Sequence, residues 1–153
     1  MKPAFNQWPE LLELVLDVSR RDEFVLHGSI ALGFYTVPRN TRDMDIMVSL
    51  PVVAGRRSRL ARELLKRGFK ETKSEILDDG IARRFASGDW AVDVHEVRGA
   101  SFRYIRRRAV RVQWRGRRLL VMSDKDLAER KGRRGTLQDF VDIQQLRSRR
   151  NDR

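Results

Sequence analysis

The chain has 153 residues, enough for one domain with a real core and too few for two ordinary ones, and it shows no internal repeat. Its 33 basic residues, 27 of them Arg, against 21 acidic ones leave a net charge of +12, so polyanions such as nucleic acid or nucleotides gain weight as partners. The absence of Cys excludes disulfides and thiolate metal sites, no apolar run approaches the roughly 20 residues that span a bilayer, and the start MKPAFNQWPE is unlike an export signal; a cytoplasmic protein without membrane contact is expected.

Trp8, Leu11, Leu12, Val15 and Leu16 recur on one face, with Pro9 suited to a first turn, which predicts a helix over about 9–20. Phe24-Val25-Leu26 reads as a short strand ended by Gly28-Ser29, and a second helix starts within Ile30 to Tyr35. Residues 43–50 read as a strand and 53–67 as a helix with Leu60, Leu64 and Leu65 on one side, closed by Gly68. Three strands follow near 69–76, 81–87 and 90–97, separated by the turn sequences Asp78-Asp79-Gly80 and Ser87-Gly88-Asp89.

Phe102 to Arg108 fits neither pattern well. Val110 to Trp114 and Leu119 to Met122 flank Arg115-Gly116-Arg117-Arg118 and predict an arginine-rich hairpin; with Arg106, Arg107 and Arg108 it could grip RNA, Tyr104 and Trp114 stacking on bases. Ser123 caps a helix opened by Asp124-Lys125-Asp126, and a last helix spans about 136–148. The expected product is one α+β (α/β) domain over 1–153: a small mixed sheet of hairpins and one crossover flanked by helices, with a C-terminal helical part over about 123–148 and a frayed tail at 149–153.

Within that frame the acids stand out. Strand side chains alternate faces, so Asp43 and Asp45 share one face while Met44, Ile46 and Val48 share the other, and Asp93 with His95 faces away from Val92 and Val94. If Asp43, Asp45 and Asp93 converge, carboxylates about 4 Å apart repel by roughly 4 kcal/mol at an effective dielectric near 20, so the cluster needs a cation or a proton. Oxygen-only ligands point to Mg²⁺ or Mn²⁺. At Gly28-Ser29 a glycine lets backbone approach a phosphate, Ser29 can add its hydroxyl, and the helix start offers free N–H groups; an NTP could be held between that turn and the acids for in-line attack at phosphorus.

Gly28-Ser29, thirteen intervening residues, Asp43-x-Asp45 and the later Asp93 together resemble the signature of the DNA polymerase β-like nucleotidyltransferase superfamily. Ser123-Asp124-Lys125-Asp126-Leu127-Ala128-x-x-Lys131 and Gln138-Asp139-Phe140-Val141-Asp142-Ile143 are similar to two C-terminal helices of its minimal bacterial members: AbiEii-like toxins and the small lincosamide and aminoglycoside nucleotidyltransferases. Where toxin-type members commonly have Arg, this chain has Gln138.

The resemblance implies the nucleotidyltransferase fold and transfer of a nucleoside monophosphate from an NTP to a hydroxyl acceptor. It implies that Asp43, Asp45 and Asp93 hold the metals, with Asp93 as general base, and that Gly28, Ser29 and Lys131 hold the triphosphate. Arg42, and Arg39 before it, could meet phosphates or form salt bridges. His95 stands as a catalytic group or a hydrogen-bonded neighbour, and Asp142 as a catalytic or a helix-orienting one. The basic surface favours tRNA, in a toxin-like enzyme, over a small molecule such as an antibiotic or over a protein; whether a cognate antitoxin accompanies it stays open, and a non-catalytic RNA- or partner-binding module on the same fold is the rival of another class.

Overall fold

The computed structural model describes residues 8–36 and 43–151. Helix α1 (Trp8–Val18) buries Leu11, Leu12, Val15 and Val18, the positions its 3.6-residue period puts on one stripe. Strand β1 (Val25–His27) runs straight into the short helix α2 (Gly28–Leu32), which starts two residues earlier than the sequence predicts, because Gly28 makes the corner at φ +71°. Strand β2 (Asp43–Ser49) follows.

Helix α3 (Arg59–Lys66) is shorter than the predicted span over 53–67. Ser58 fixes its start: the hydroxyl accepts from the Ala61 N–H at 3.3 Å, and Gly55, at φ +79°, sits in the loop before it. Strands β3 (Lys70–Leu77), β4 (Gly80–Ser87) and β5 (Trp90–Val97) form a meander whose turns fall where the Asp-Asp-Gly and Ser-Gly-Asp sequences predict. The ambiguous segment is helical: α4 covers Gly99–Arg108. Arg106, Arg107 and Arg108 therefore belong to a helix and not to the hairpin.

That hairpin is β6 (Val110–Trp114) and β7 (Arg117–Val121), and its turn residues Arg115 and Gly116 are both left-handed, at φ 48° and 74°, the twist a two-residue hairpin turn needs. Helix α5 (Asp124–Arg134) begins at Ser123, whose hydroxyl accepts from the Asp126 N–H at 3.1 Å, and ends at Gly135, at φ +69°. Helix α6 (Leu137–Asn151) continues into the stretch expected to fray from 149.

All seven strands join one sheet in the order β3-β4-β5-β2-β1-β7-β6. β2 pairs parallel with β5 and antiparallel with β1, and β1 pairs parallel with β7, so the sheet has two parallel contacts where one crossover is expected from sequence. Met44, Ile46 and Val48 are buried as the alternation requires. Met47 and His95, on the acid-bearing face, are buried as well, while Asp43, Asp45 and Asp93 on it are partly exposed. No helix among the described residues is long and apolar enough to cross a membrane.

Candidate active site

Strand register brings the acids together. In the parallel β2–β5 pair Asp45 lies opposite Asp93, in the antiparallel β1–β2 pair it lies opposite His27, and across the β4–β5 hairpin Arg84 lies opposite Asp93. Four adjacent strands thus carry the row Arg84, Asp93, Asp45, His27, with Asp43 one side-chain repeat from Asp45 on the same face.

Arg84 is the hub of the row. Its Nη1 donates to Asp43 Oδ2 at 3.1 Å and to both Asp93 oxygens at 3.0 and 3.3 Å, and its Nη2 donates to Asp43 Oδ1 at 3.0 Å. The bond to Asp43, supported by the charges of both acids, raises the guanidinium's pKa further above its ordinary value. The Asp93 carboxyl is pushed up from the usual carboxylate range, first by burial and then by Asp43, against the opposing charge of Arg84.

Asp45 is seated differently. A Cβ built on Gly28 would fall 2.1 Å from Asp45 Oδ2, and Gly28 has a left-handed φ, so only glycine fits between β1 and this carboxylate. The close approach that the glycine allows, expected to serve a phosphate, is taken up by Asp45. Ser29 is half-buried in the first turn of α2.

Beyond Gly28 a cavity of about 530 Å³ is bounded by His27, Asp45, Asp79, His95, Arg130 and Lys131. Arg130 Nη2 meets His95 Nδ1 at 2.7 Å, and because a guanidinium can only donate, that nitrogen accepts; Nε2 then carries the hydrogen and donates to Asp79 Oδ1 at 3.0 Å. Burial, reinforced by the Arg130 charge, holds His95 below its ordinary pKa even though Asp79 pulls the other way. Burial alone would raise Asp79, but His95 and Arg130 outweigh it and the net shift is downward. His27 is held well below its ordinary pKa, by burial first and then by Arg130 and His95, and its Nε2 is buried without a hydrogen-bond partner among the described residues.

Lys131 is buried and not extended towards the acids: its Nζ bonds Asp142 Oδ2 at 2.7 Å and lies 3.8 Å from Asp139 Oδ1. Asp139 also closes a reciprocal cap with Thr136, accepting from the Thr136 backbone N–H at 3.1 Å while its own N–H donates to the Thr136 hydroxyl at 3.1 Å. Asp142 further accepts from Gln138 at 2.9 Å. Of these, the Lys131 contacts tie α6 to α5, an arrangement in keeping with the helix-orienting alternative for Asp142. Arg39 and Arg42 lie outside the described residues.

The donor set suits a hard divalent cation, since it is all carboxylate oxygen and already shares one cationic group, the Arg84 guanidinium. The three acids do not close around one point, and no group of three or more His, Asp or Glu among the described residues is gathered tightly enough to hold a metal. Arg84 stands between Asp43 and Asp93, where a cation shared by the two carboxylates would sit. Sequence reasoning missed Arg84, although a signal existed: a two-residue turn at Gly88-Asp89 pairs Ser87 with Trp90 and hence Arg84 with Asp93.

No family model matches the sequence, and no curated protein is found similar to it. Solved structures do match in fold. The lincosamide antibiotic adenylyltransferase LnuA, bound to lincomycin, superposes with a TM-score of 0.61 at 17% identity, over 93% of this chain and 95% of that one. A candidate nucleotidyltransferase of Thermotoga maritima gives 0.63 at 15% identity, over 96% and 94%. An antigenic nucleotidyltransferase-like protein of Paracoccidioides brasiliensis gives 0.51 at 16%, over 93% of this chain and 71% of that one. The chain thus has the DNA polymerase β-like nucleotidyltransferase fold.

Proposed function

We propose that the protein transfers a nucleoside monophosphate from an NTP to a hydroxyl of an RNA acceptor, with tRNA the favoured substrate of a toxin-like enzyme. The observation that carries this reading is the placement of Asp43, Asp45 and Asp93 on one face of adjacent strands, each partly exposed. A Mg²⁺ or Mn²⁺ held by these three acids would neutralise triphosphate charge and lower the pKa of the attacking hydroxyl. Gly28 and Ser29, at the start of α2, flank the position of the triphosphate, with Arg42 as a further phosphate contact.

Asp93 takes the proton of the acceptor hydroxyl. Its raised pKa makes it a better base than an ordinary carboxylate. The acceptor oxygen forms its bond to the α-phosphorus as the bond to the bridging oxygen breaks, and pyrophosphate leaves with that electron pair. Arg84 bonds two of the three acids and orients both carboxylates before substrate arrives.

The net charge of +12 supports a polyanionic acceptor over a cationic antibiotic, even though LnuA, which shares the fold, is a lincosamide antibiotic adenylyltransferase. A second reading, a non-catalytic RNA- or partner-binding module, is favoured by one observation: Arg84 bonds both Asp43 and Asp93 and offsets part of their charge.

Incubation with each labelled NTP and total tRNA, a protein extract or lincosamides separates these readings. Label is expected in tRNA and lost in the Asp43→Ala/Asp45→Ala variant. Label in the protein or antibiotic arm replaces the acceptor; equal labelling by the double variant, or none by wild type with any NTP, removes the mechanism.

A further inference from the structure

The arginines of this basic chain differ in how far acids already engage them. Three of the four arginines of the β6–β7 hairpin are matched to acids on or just after α1: Arg115 to Glu13 at 3.1 Å, Arg117 to Asp17 at 2.6 Å and Arg118 to Asp22 at 2.8 Å. Arg108 is likewise held by Asp126 at 3.1 Å. A guanidinium already bonded to a carboxylate has less to gain from a phosphate, so the hairpin singled out in the sequence is a poor grip for RNA.

Three arginines without such a partner share a groove elsewhere. Beyond the carboxyl end of β2, between the loop before α3, α3 itself and α4, lies a groove of about 530 Å³ whose lining includes Arg56, Arg62 and Arg106. None of these three has a carboxylate partner among the described residues, and Arg106 only stacks on Phe102, 5.3 Å from the ring centre. The two other groove arginines are committed, Arg57 to Glu71 and Arg59 to Glu23, which removes Glu23 as a competing anion at the rim. Arg62 Nε is buried with no acceptor among the described residues, an arrangement that leaves a donor group unmet until a ligand or water supplies an oxygen.

We propose that this groove binds the phosphate backbone of an RNA strand, with Arg56, Arg62 and Arg106 as the phosphate contacts. The proposal rests on the reading that the acceptor is RNA, and adds where the strand is held. The recessed shape of the groove favours a strand that can enter it over a flat bilayer. Ser49, beside the groove, is four residues along β2 from Asp45, on the order of 13 Å at the rise of a strand. At about 3.4 Å per nucleotide, a strand seated there brings a nucleotide about four positions away within range of the acids.

The test measures binding of the full chain to a labelled single-stranded RNA and to tRNA, without NTP, across a salt series. Arg56→Gln/Arg62→Gln/Arg106→Gln is compared with Arg115→Gln/Arg117→Gln, which also removes charge but from the hairpin. Losing three single-strand phosphate contacts should lower the slope of log affinity against log salt by about 2 and weaken binding on the order of a hundredfold at 0.1 M salt, with the hairpin variant close to wild type. An unchanged slope in the groove variant, or an equal loss in the hairpin variant, overturns the proposal. So does groove-dependent binding to phosphatidylserine vesicles or polyglutamate with RNA binding intact. Arg56→Gln alone, at an exposed loop residue, should lower the slope by about 0.7 and serves if the triple variant fails to fold. Groove-dependent RNA binding with no nucleotide transfer would leave this site standing and remove the proposed activity; transfer to RNA by a groove variant of unaltered affinity would do the reverse.

Discussion

Replacing Arg84 by Gln removes the cation between Asp43 and Asp93 while keeping most of the side chain's length. The two carboxylates bond the same Nη1 at 3.1 and 3.0 Å, so these oxygens are at most about 6 Å apart, which corresponds to a repulsion of roughly 3 kcal/mol at an effective dielectric of 20. Asp43 is 43% exposed and Asp93 32%, so solvent screens most of that, and a loss on the order of 1 kcal/mol is the expected cost without metal. For a chain of this length that is a fall of about 2–4 °C in Tm in the presence of a chelator. Mn²⁺ should reverse the order: with no guanidinium to displace, the variant gains about 1 kcal/mol of metal affinity, a fivefold to tenfold lower Kd by calorimetry or Mn²⁺ electron paramagnetic resonance. A variant as stable as wild type in chelator and no better at binding Mn²⁺ would refute the view that these acids form a mutually repelling, cation-seeking pair.

Lys131→Met leaves Asp139 and Asp142 buried with their shared cation gone and should cost about 3–5 kcal/mol, read as a large fall in urea midpoint; unchanged stability with weakened NTP binding would instead make Lys131 a phosphate ligand. His27 and His95 are both depressed below the ordinary 6.5, so in the window beneath 6.5 the unfolded chain binds protons that the folded chain refuses. Stability is therefore full above 6.5 and falls as pH drops, by up to about 1.4 kcal/mol per pH unit for each histidine. Urea unfolding at pH 7.5 and 5.5 should show the loss, and equal or greater stability at 5.5 would contradict the neutral state assigned to both rings.

Much of the fold could be read in the sequence because it is written in local signals. The period of Leu11, Leu12 and Val15, the Ser123 cap, and the turn glycines at 80, 88 and 116 each act within a few residues, and each marks an element that the structure contains. Where local signals conflict, reading failed. Phe102 to Arg108 carries too many arginines to show an apolar period, and only its packing, with Phe102 turned inward, makes it the helix α4. The helix predicted from 53 is shortened to begin at Arg59 because Ser58 offers a better start than the glycine-bearing loop before it.

The candidate site divides in the same way. That Asp43 and Asp45 share a face follows from strand alternation alone, a property of the backbone that needs no partner strand. That Asp93 stands beside Asp45 depends on β2 and β5 pairing in parallel across more than forty residues of chain, and that register is set by packing the whole sheet. The same holds for charge. Sequence counts 27 arginines, but only tertiary structure decides that three of the hairpin's four are paired with α1 and the acid after it, that Arg84 sits among the acids, and that Arg56, Arg62 and Arg106 face a groove. Composition fixes how much charge the chain carries; the long-range contacts of the fold determine which of it is left over for a ligand.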